Sequence, residues 1–205
     1  RDTDRSRGLG DVYKRQLDAS NLERNLYLAA QLLELEKPMV IALNMADVAE
    51  EMGIKYDFKK MAELTGATIV STVGRTNIGT KELLEATISV AASQKAPGVT
   101  INYGDLLEGK ISELVELLKQ AGTVTYPLRW IAVKLLEKDA DVIGKVMRFD
   151  NTEAVIQKAE AIREEIKDQV DLDIVFQEYR HRFAVEVYNT CLLYTSPSPR
   201  DRSVS

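Results

Sequence analysis

The first half of the chain alternates between short apolar runs and longer amphipathic segments. Met39–Leu43 is apolar at every position, which is typical of a strand that is buried on both faces of a sheet. Ala67–Val70 is a second such run, and we predict another buried strand there. Since helical patterns separate these runs, the sequence predicts parallel strands joined by helical crossovers, and hence an α/β domain over residues 17–93.

Two amphipathic helices are predicted around these strands. Leu22–Leu33 has apolar residues at helical spacing and follows an S-x-x-E capping box formed by Ser20 and Glu23. Gly79–Ala92 has the same spacing. The residues predicted to lie on its inner face are Leu83, Leu84, Thr87, Ile88 and Ala91.

The second half of the chain is helical by pattern. A linker is predicted at residues 94–102, which contain Pro97 and Gly98. Beyond it, apolar residues recur at helical spacing as far as about residue 190. Four or five successive amphipathic helices predict a small all-α bundle over residues 103–190.

Both ends of the chain differ from the rest. Residues 1–16 and 191–205 lack periodicity and are rich in Arg, Ser, Asp and Pro. They resemble the translated adaptor found at the ends of genes assembled from sequencing fragments, and a disordered native tail is the alternative. We exclude both segments from the fold prediction. The first strand of the α/β domain would then end at Asp18, with most of it missing.

Composition and charge exclude several classes of protein. With a single cysteine, Cys191, in the suspect tail, the chain has no disulfide framework and no Cys/His cluster with metal-ligand spacing. No run approaches the roughly 18 apolar residues that span a bilayer. The two ends carry 7 Lys/Arg and 4 Asp/Glu, which leaves 20 basic and 28 acidic residues in between, a net charge of −8. This acidic balance argues against a nucleic-acid partner.

The first candidate site is the polar tip that follows Met39–Leu43. Ligands of open α/β sheets bind outside the carboxyl ends of the strands. At such a tip the Asp47 carboxylate would accept hydrogen bonds from the adjacent N1–H and N2 amino groups of guanine, while Asn44 braces the loop and Met45 lies beside the ring. A helix cap after the strand is the alternative, because Asn and Asp are both good caps.

A second candidate loop follows the next predicted strand. Ser71, Thr72 and Val73, followed by Gly74, form a small-residue loop. Small side chains let the backbone approach a base, so that an N–H can donate to guanine O6. Which residue donates is left open, and an ordinary strand-to-loop turn is the alternative. Two such loops at the same end of one sheet favour guanine recognition.

The phosphate-binding motif of nucleotide-binding proteins is incomplete in this sequence. Residues 104–111 match G-x-x-x-x-G-K-[ST] except at Ile111, which has no hydroxyl for Mg²⁺, and Asp105 and Glu108 would repel phosphates. Asp141–Gly144 matches D-x-x-G but lies in a helical pattern. We therefore expect the phosphate-binding loop and any Mg²⁺ site upstream of this chain. The chain alone is expected to bind nucleotide poorly and not to hydrolyse GTP.

Several longer motifs together resemble one family. They are DASNLERNLYL at residues 18–28, QLLEL at 31–35, ALNMAD at 42–47, INYG at 101–104 and LRWIAVKLLE at 128–137. These residues and their spacing are similar to the motifs of the ferrous iron transport protein B (FeoB) family, and the resemblance covers essentially residues 17–190.

The resemblance implies a particular architecture and role. The family has a Ras-like, doubly wound G domain of the P-loop NTPase type, a helical spacer similar to a dissociation-inhibitor domain, and a polytopic membrane region. It imports Fe²⁺ into prokaryotic cells, and its G domain binds GTP and GDP and slowly hydrolyses GTP at the cytoplasmic face of the inner membrane. The implied partners of this chain are guanine nucleotide and the membrane region of the same parent protein.

On this resemblance the chain is the second half of the G domain followed by the spacer. Asn44 and Asp47 match the guanine-specificity motif, with Met45 at the position of the Lys in N-K-x-D, and Ser71–Gly74 matches the second guanine loop. A fragment of a soluble GTPase of another class is one alternative, although the acidic core and the DASNLERN match argue against it. A helical interaction module is the other. A flanking membrane segment and an upstream P-loop would separate the three hypotheses.

Overall fold

The computed structural model describes residues 13–122, 126–149 and 152–194. In this part the chain divides into two compact units. The first unit runs to Thr100 and resumes at Phe183, and the second unit is Ile101–Arg182. The division after Thr100 falls inside the linker predicted at residues 94–102.

The first unit contains a three-stranded parallel sheet. In chain order, the elements of this unit are β1 (Tyr13–Asp18), α1 (Leu22–Leu33), β2 (Met39–Asn44), α2 (Ala46–Glu51), β3 (Lys55–Tyr56), α3 (Phe58–Thr65), β4 (Thr68–Ser71), α4 (Thr80–Ser93) and β5 (Leu192–Tyr194). Strands β3 and β5 form a separate two-stranded sheet. The sheet order is β1-β2-β4. Asp18 is level with Asn44, and Leu43 is level with Ser71, so all three strands end at one edge. This confirms the predicted α/β class.

The core of the first unit is built on β2. Met39–Leu43 is buried at every position, as its unbroken apolar run predicts. One face of the sheet packs with the apolar residues of α1 and with Met61 of α3. Ala184, Val187 and Cys191 join the same cluster, because the last helix continues into this unit. The helical domain predicted at residues 103–190 therefore differs from the observed second unit at its C-terminal end.

The ends of the first unit extend into the segments predicted as tails. β1 begins at Tyr13 and is six residues long, so the expectation that most of this strand is missing is wrong. At the other end, β5 pairs antiparallel with β3. Cys191 is buried, and this burial raises the pKa of its thiol to about 11. The remaining tail residues, 1–12 and 195–205, lie outside the described part of the chain.

β4 and α4 are less buried than the sequence predicts. Thr68 is exposed and Ile69, Val70 and Ser71 are only half-buried, because β4 lies at the edge of the described sheet. On α4, Leu84 and Ile88 are more than half exposed. The predicted inner face of this helix is therefore wrong at these two residues, although Leu83, Thr87 and Ala91 are partly buried.

The start of α1 differs from the predicted capping box. Asp18 Oδ1 accepts hydrogen bonds from the Ser20 amide at 2.9 Å and from Ser20 Oγ at 2.6 Å. Since the Ser20 hydroxyl is a donor here, it does not cap the helix, and a short 3-10 turn at Ala19–Asn21 precedes α1. The Asp18 carboxylate replaces the Ser20–Glu23 pair because it can accept both bonds at once.

The second unit is a bundle of helices. They are α5 (Asp105–Ala121), α6 (Leu128–Leu136), α7 (Ala140–Val146), α8 (Glu153–Ile166) and the first part of α9 (Leu172–Cys191). Residues 94–104 before α5 form neither helix nor strand, and residues 105–111 are the start of α5. Asp141–Gly144 lies within α7. These placements agree with the rejection of both phosphate motifs. Within the described residues, no helix has the length and apolarity to cross a bilayer.

Candidate functional site

The two loops singled out in the sequence lie side by side at the carboxyl edge of the sheet. Since β2 and β4 are adjacent and parallel, the chain leaves both strands at the same edge. Asn44 Oδ1 accepts a hydrogen bond from the Gly74 amide at 2.9 Å, and the Thr72 amide donates to the Leu43 carbonyl at 2.8 Å. The loops are therefore held together by direct hydrogen bonds.

The turn after β2 depends on an unusual backbone conformation. Met45 has φ +60° and ψ +33°, in the left-handed region that residues with a Cβ rarely adopt. Such conformations cost about 1–3 kcal/mol and cluster at functional sites. Met45 separates Asn44, at the end of β2, from Asp47 in the first turn of α2, and its own side chain is 39% exposed.

The loop after β4 is tightly closed. The Val73 amide donates to the Ile78 carbonyl at 3.0 Å, and the Thr76 amide donates to the Val73 carbonyl at 3.1 Å. Gly79 has φ +78°, and a Cβ on it would lie 2.1 Å from the Ser71 carbonyl oxygen. Only glycine fits this position, so Gly79 sets how closely the loop returns to β4.

A pocket of about 360 Å³ lies between the two loops. Its lining residues are Asn44, Met45, Asp47, Val48, Glu51, Val73, Gly74 and Arg75. Four of the six predicted site residues are among them. The other two are not: Ser71 is the last residue of β4, and Thr72 is buried with its amide bonded to Leu43.

Arg75 is the residue that sequence analysis missed. Its Nη2 lies 3.2 Å from Asp47 Oδ2, and the side chains are 80% and 28% exposed. The signal that could have found it is its position, since a charged residue directly follows the small-residue loop at a strand's carboxyl end. An ion pair this exposed stabilises a fold by only about 0–1 kcal/mol.

Most backbone donors of the second loop are already in use. The amides of Thr72, Val73, Gly74 and Thr76 each donate to an acceptor within the first unit. Among the described atoms, the Arg75 amide has no hydrogen-bond acceptor. The pocket is thus lined by the Asp47 carboxylate and by Arg75, whose backbone N–H has no acceptor within the described structure.

The described residues do not form an evident metal site. No group of three His, Cys, Asp or Glu side chains in these ranges has the geometry to hold an ion. Asp47 and Glu51 are the acidic residues of the pocket, and the Asp47 carboxylate is paired with a cation.

Two family models match separate parts of the chain. The model described as "Ferrous iron transport protein B" matches residues 10–87, which include β1 through most of α4. The model described as "FeoB cytosolic helical domain" matches residues 103–192. The two matches follow one another along the chain, in the same order as the two predicted domains.

Curated relatives are transporters several times longer than this chain. The Fe(2+) transport protein A/Fe(2+) transporter FeoB fusion protein of Porphyromonas gingivalis is 40% identical over 136 residues, 64% of this chain and 16% of that protein. The Fe(2+) transporter FeoB of Staphylococcus aureus is 34% identical over 163 residues, 79% of this chain and 24% of that protein. The chain thus spans only about a sixth to a quarter of these relatives.

Solved structures of similar proteins share the fold. A GDP-bound mutant of the S. thermophilus FeoB G-domain superposes with a TM-score of 0.76 and 29% identity, over 86% of this chain and 67% of that one. NFeoB from S. thermophilus bound to mGMPPNP gives a TM-score of 0.74 and 28% identity, over 89% and 68% of the two chains. The cytosolic domain of the T. maritima FeoB transporter, in its GMPPNP form, has a TM-score of 0.75 over 90% and 68%, and at 21% identity it supports the fold alone.

Proposed function

Because the chain belongs to the ferrous iron transport protein B family, we propose that its first unit recognises the guanine base of GTP and GDP. The observation that carries this proposal is the pocket between the two loops, where Asp47 lies opposite Val73, Gly74 and Arg75. The binding of GDP and of a GTP analogue by the solved S. thermophilus relatives supports the choice of ligand.

The Asp47 carboxylate is the specificity group in this proposal. Guanine presents N1–H and the N2 amino group side by side, and one carboxylate can accept from both. Charge-assisted hydrogen bonds of this kind contribute about 1.5–3 kcal/mol each. Asn44 holds the second loop through its bond to Gly74, and the half-exposed Met45 side chain supplies an apolar surface beside the ring.

The backbone donor to guanine O6 comes from the second loop. The Arg75 amide is the group best suited to this role, because the amides of Thr72 and Val73 are committed to acceptors within the fold. The Gly74 amide lies next to it but already donates to Asn44 Oδ1. The proposed donor is thus one residue beyond the Ser71–Gly74 loop, for which the sequence left the donor open.

Phosphate binding and Mg²⁺ chemistry are assigned to other parts of the parent protein. Phosphoryl transfer depends on phosphate-binding backbone and Mg²⁺, and residues 105–111 and 141–144 lie within helices of the second unit. We therefore expect the 205-residue chain to select guanine over adenine with low affinity and not to hydrolyse GTP.

The proposed role of the whole protein is Fe²⁺ transport controlled by guanine nucleotide. In that role Fe²⁺ is the transported substrate, and this chain is the part at the cytoplasmic face of the prokaryotic membrane that binds nucleotide. The second unit, which matches the family's helical domain, would transmit the nucleotide state to the membrane region of the parent.

The experiment that tests base recognition changes the hydrogen-bonding groups of the protein and of the base together. Xanthine has a carbonyl at C2 where guanine has an amino group, so Asp47→Asn should weaken GDP binding by about 10- to 100-fold and favour XDP. Both affinities are measured by NMR titration of the full chain. Asp141→Asn, at an exposed position of α7, is the matched control and should change neither. An unchanged base preference in Asp47→Asn would remove Asp47 from the site.

A further inference from the structure

The proposed guanine-binding carboxylate already has an internal partner. Arg75 Nη2 lies 3.2 Å from Asp47 Oδ2, and both residues line the pocket. A base that uses N1–H and N2 together needs both carboxylate oxygens in the plane of the ring. The guanidinium therefore competes with the base for one of the two oxygens that the base requires.

The Arg75 side chain is free to leave this position without disturbing the fold. It is 80% exposed, and the contact to Asp47 is its one ion pair among the described residues. Its backbone is fixed independently, because the loop is closed by the Val73–Ile78 and Asn44–Gly74 hydrogen bonds. Movement of the side chain thus requires only rotation about its own bonds.

A second carboxylate is available to receive the displaced guanidinium. Glu51 lines the same pocket as Arg75 and lies four residues after Asp47 on α2, on the same side of that helix. It is exposed, so it can accept a cation without a desolvation penalty. The pocket is therefore lined by two acidic side chains, Asp47 and Glu51, as well as by Arg75.

We propose that Arg75 is an internal competitor for guanine: it holds Asp47 in the unliganded pocket and moves to Glu51 when the base binds. The proposal rests on the function proposed above, since it concerns the same carboxylate. It makes Arg75 a residue that lowers guanine affinity, and so favours release of the nucleotide, without being needed for the choice of base.

The expected effect follows from the exposure of the pair. Removing an exposed ion pair that competes with a ligand should tighten binding by about two- to five-fold. Since salt screens exposed charges, the difference between wild type and an Arg75 variant should shrink as NaCl is raised to about 0.5 M. Losing Glu51 should weaken binding only while Arg75 is present.

The test measures GDP and ADP affinities of the full chain by NMR titration. Arg75→Ala should bind GDP about two- to five-fold more tightly than wild type, and Arg75→Lys should stay close to wild type. Lys81→Ala is the matched control, because Lys81 is equally exposed and forms an ion pair with Glu85 on α4. Glu51→Gln should weaken GDP binding in wild type and have no effect in the Arg75→Ala background.

The possible results distinguish a failure of the competitor role from a failure of guanine recognition. Weaker GDP binding by Arg75→Ala would show that the guanidinium contacts the base, and unchanged binding would show that it does not compete. Either result overturns the competitor role while guanine recognition stands. If wild type does not prefer GDP to ADP and Asp47→Asn does not favour XDP, both proposals fail together.

Discussion

Two arginine–carboxylate pairs in this protein use the same chemistry at opposite extremes of burial. Arg75 and Asp47 are joined by one contact of 3.2 Å, with the arginine 80% exposed. Arg180 of the second unit contacts Glu137 Oε1 at 2.5 Å and is 1% exposed. Its guanidinium also lies 5.9 Å from the centre of the Tyr103 ring, and Glu137 is bound in addition by Lys134.

The difference shows how surroundings decide what an ion pair does. Water can replace either partner of the Arg75 pair, so this contact costs little to break and can give way to a ligand. The charges of the Arg180 pair cannot return to water unless the second unit unfolds, and a buried charge left without its partner is strongly destabilising. The exposed pair is suited to regulating a site, and the buried pair to fixing helices α6 and α9.

The largest expected effect comes from breaking the buried pair. Arg180→Ala should lower the free energy of unfolding of the second unit by about 3–5 kcal/mol, because Glu137 loses a partner and the Tyr103 ring loses a packed neighbour. The loss is measured by urea unfolding, with the fluorescence of Trp130 as the probe, since it is the only tryptophan in the chain.

Arg75→Ala is the matched control for this measurement. It removes the same side chain from an exposed pair and should change stability by no more than about 0.5 kcal/mol. If Arg180→Ala were as stable as Arg75→Ala, burial would not distinguish the two pairs.

Acidification should weaken the buried pair. Burial alone would raise the pKa of Glu137, but hydrogen bonds and charge attraction from Arg180 and Lys134 outweigh it and hold the pKa below the usual 4.5. A carboxyl group whose pKa is depressed in the folded state stabilises it above its unfolded pKa, and this contribution is lost as pH falls through the folded pKa.

The second unit should therefore lose stability as the solution is acidified below about pH 4.5. Glu108 adds to the same trend: burial raises its pKa, and hydrogen bonds from Arg129 and the Tyr103 amide lower it by more. The midpoint of urea unfolding, followed by Trp130 fluorescence between about pH 6 and pH 3, measures the loss. Glu137→Gln should show a shallower dependence on pH, and an equally steep one would assign the effect to other groups.

Strands and helices with one unambiguous pattern were predictable from the sequence. The unbroken apolar run of β2 fixed its burial, and the parallel order of β2 and β4 then required Asn44 and Asp47 to lie near the loop after Ser71. The part of the candidate site that was predictable is therefore the pairing of these two loops at the carboxyl ends of β2 and β4.

What the sequence could not predict depends on contacts between distant residues. Arg75 is recognised as part of the site only through its distance to Asp47, 28 positions earlier. Leu84 and Ile88 have the spacing of an inner face, but whether a face is covered depends on which elements lie against it. The Thr72 amide was unavailable for a ligand because of its bond to the Leu43 carbonyl, which no local pattern encodes.

A third arginine, Arg15 of β1, is half-buried, and one of its polar atoms is buried without an acceptor. It lies level with the fully buried Ile41 of β2, in the segment that the sequence predicts to be foreign to the domain. Its Nε is buried and, within the described structure, has no hydrogen-bond partner. An unsatisfied buried polar group costs about 1–3 kcal/mol.

Replacing this side chain should therefore stabilise the first unit. Arg15→Val removes the unsatisfied group and adds a residue that suits a strand, so we expect a gain of about 1–2 kcal/mol. The gain is measured as slower hydrogen exchange of the β2 amides, which report opening of the sheet. Gln16→Val, at the adjacent and exposed position of the same strand, is the control for strand propensity alone. If Arg15→Val exchanged as fast as wild type, the guanidinium would be adequately solvated, and Arg15 would belong with the exposed Arg75 in this comparison.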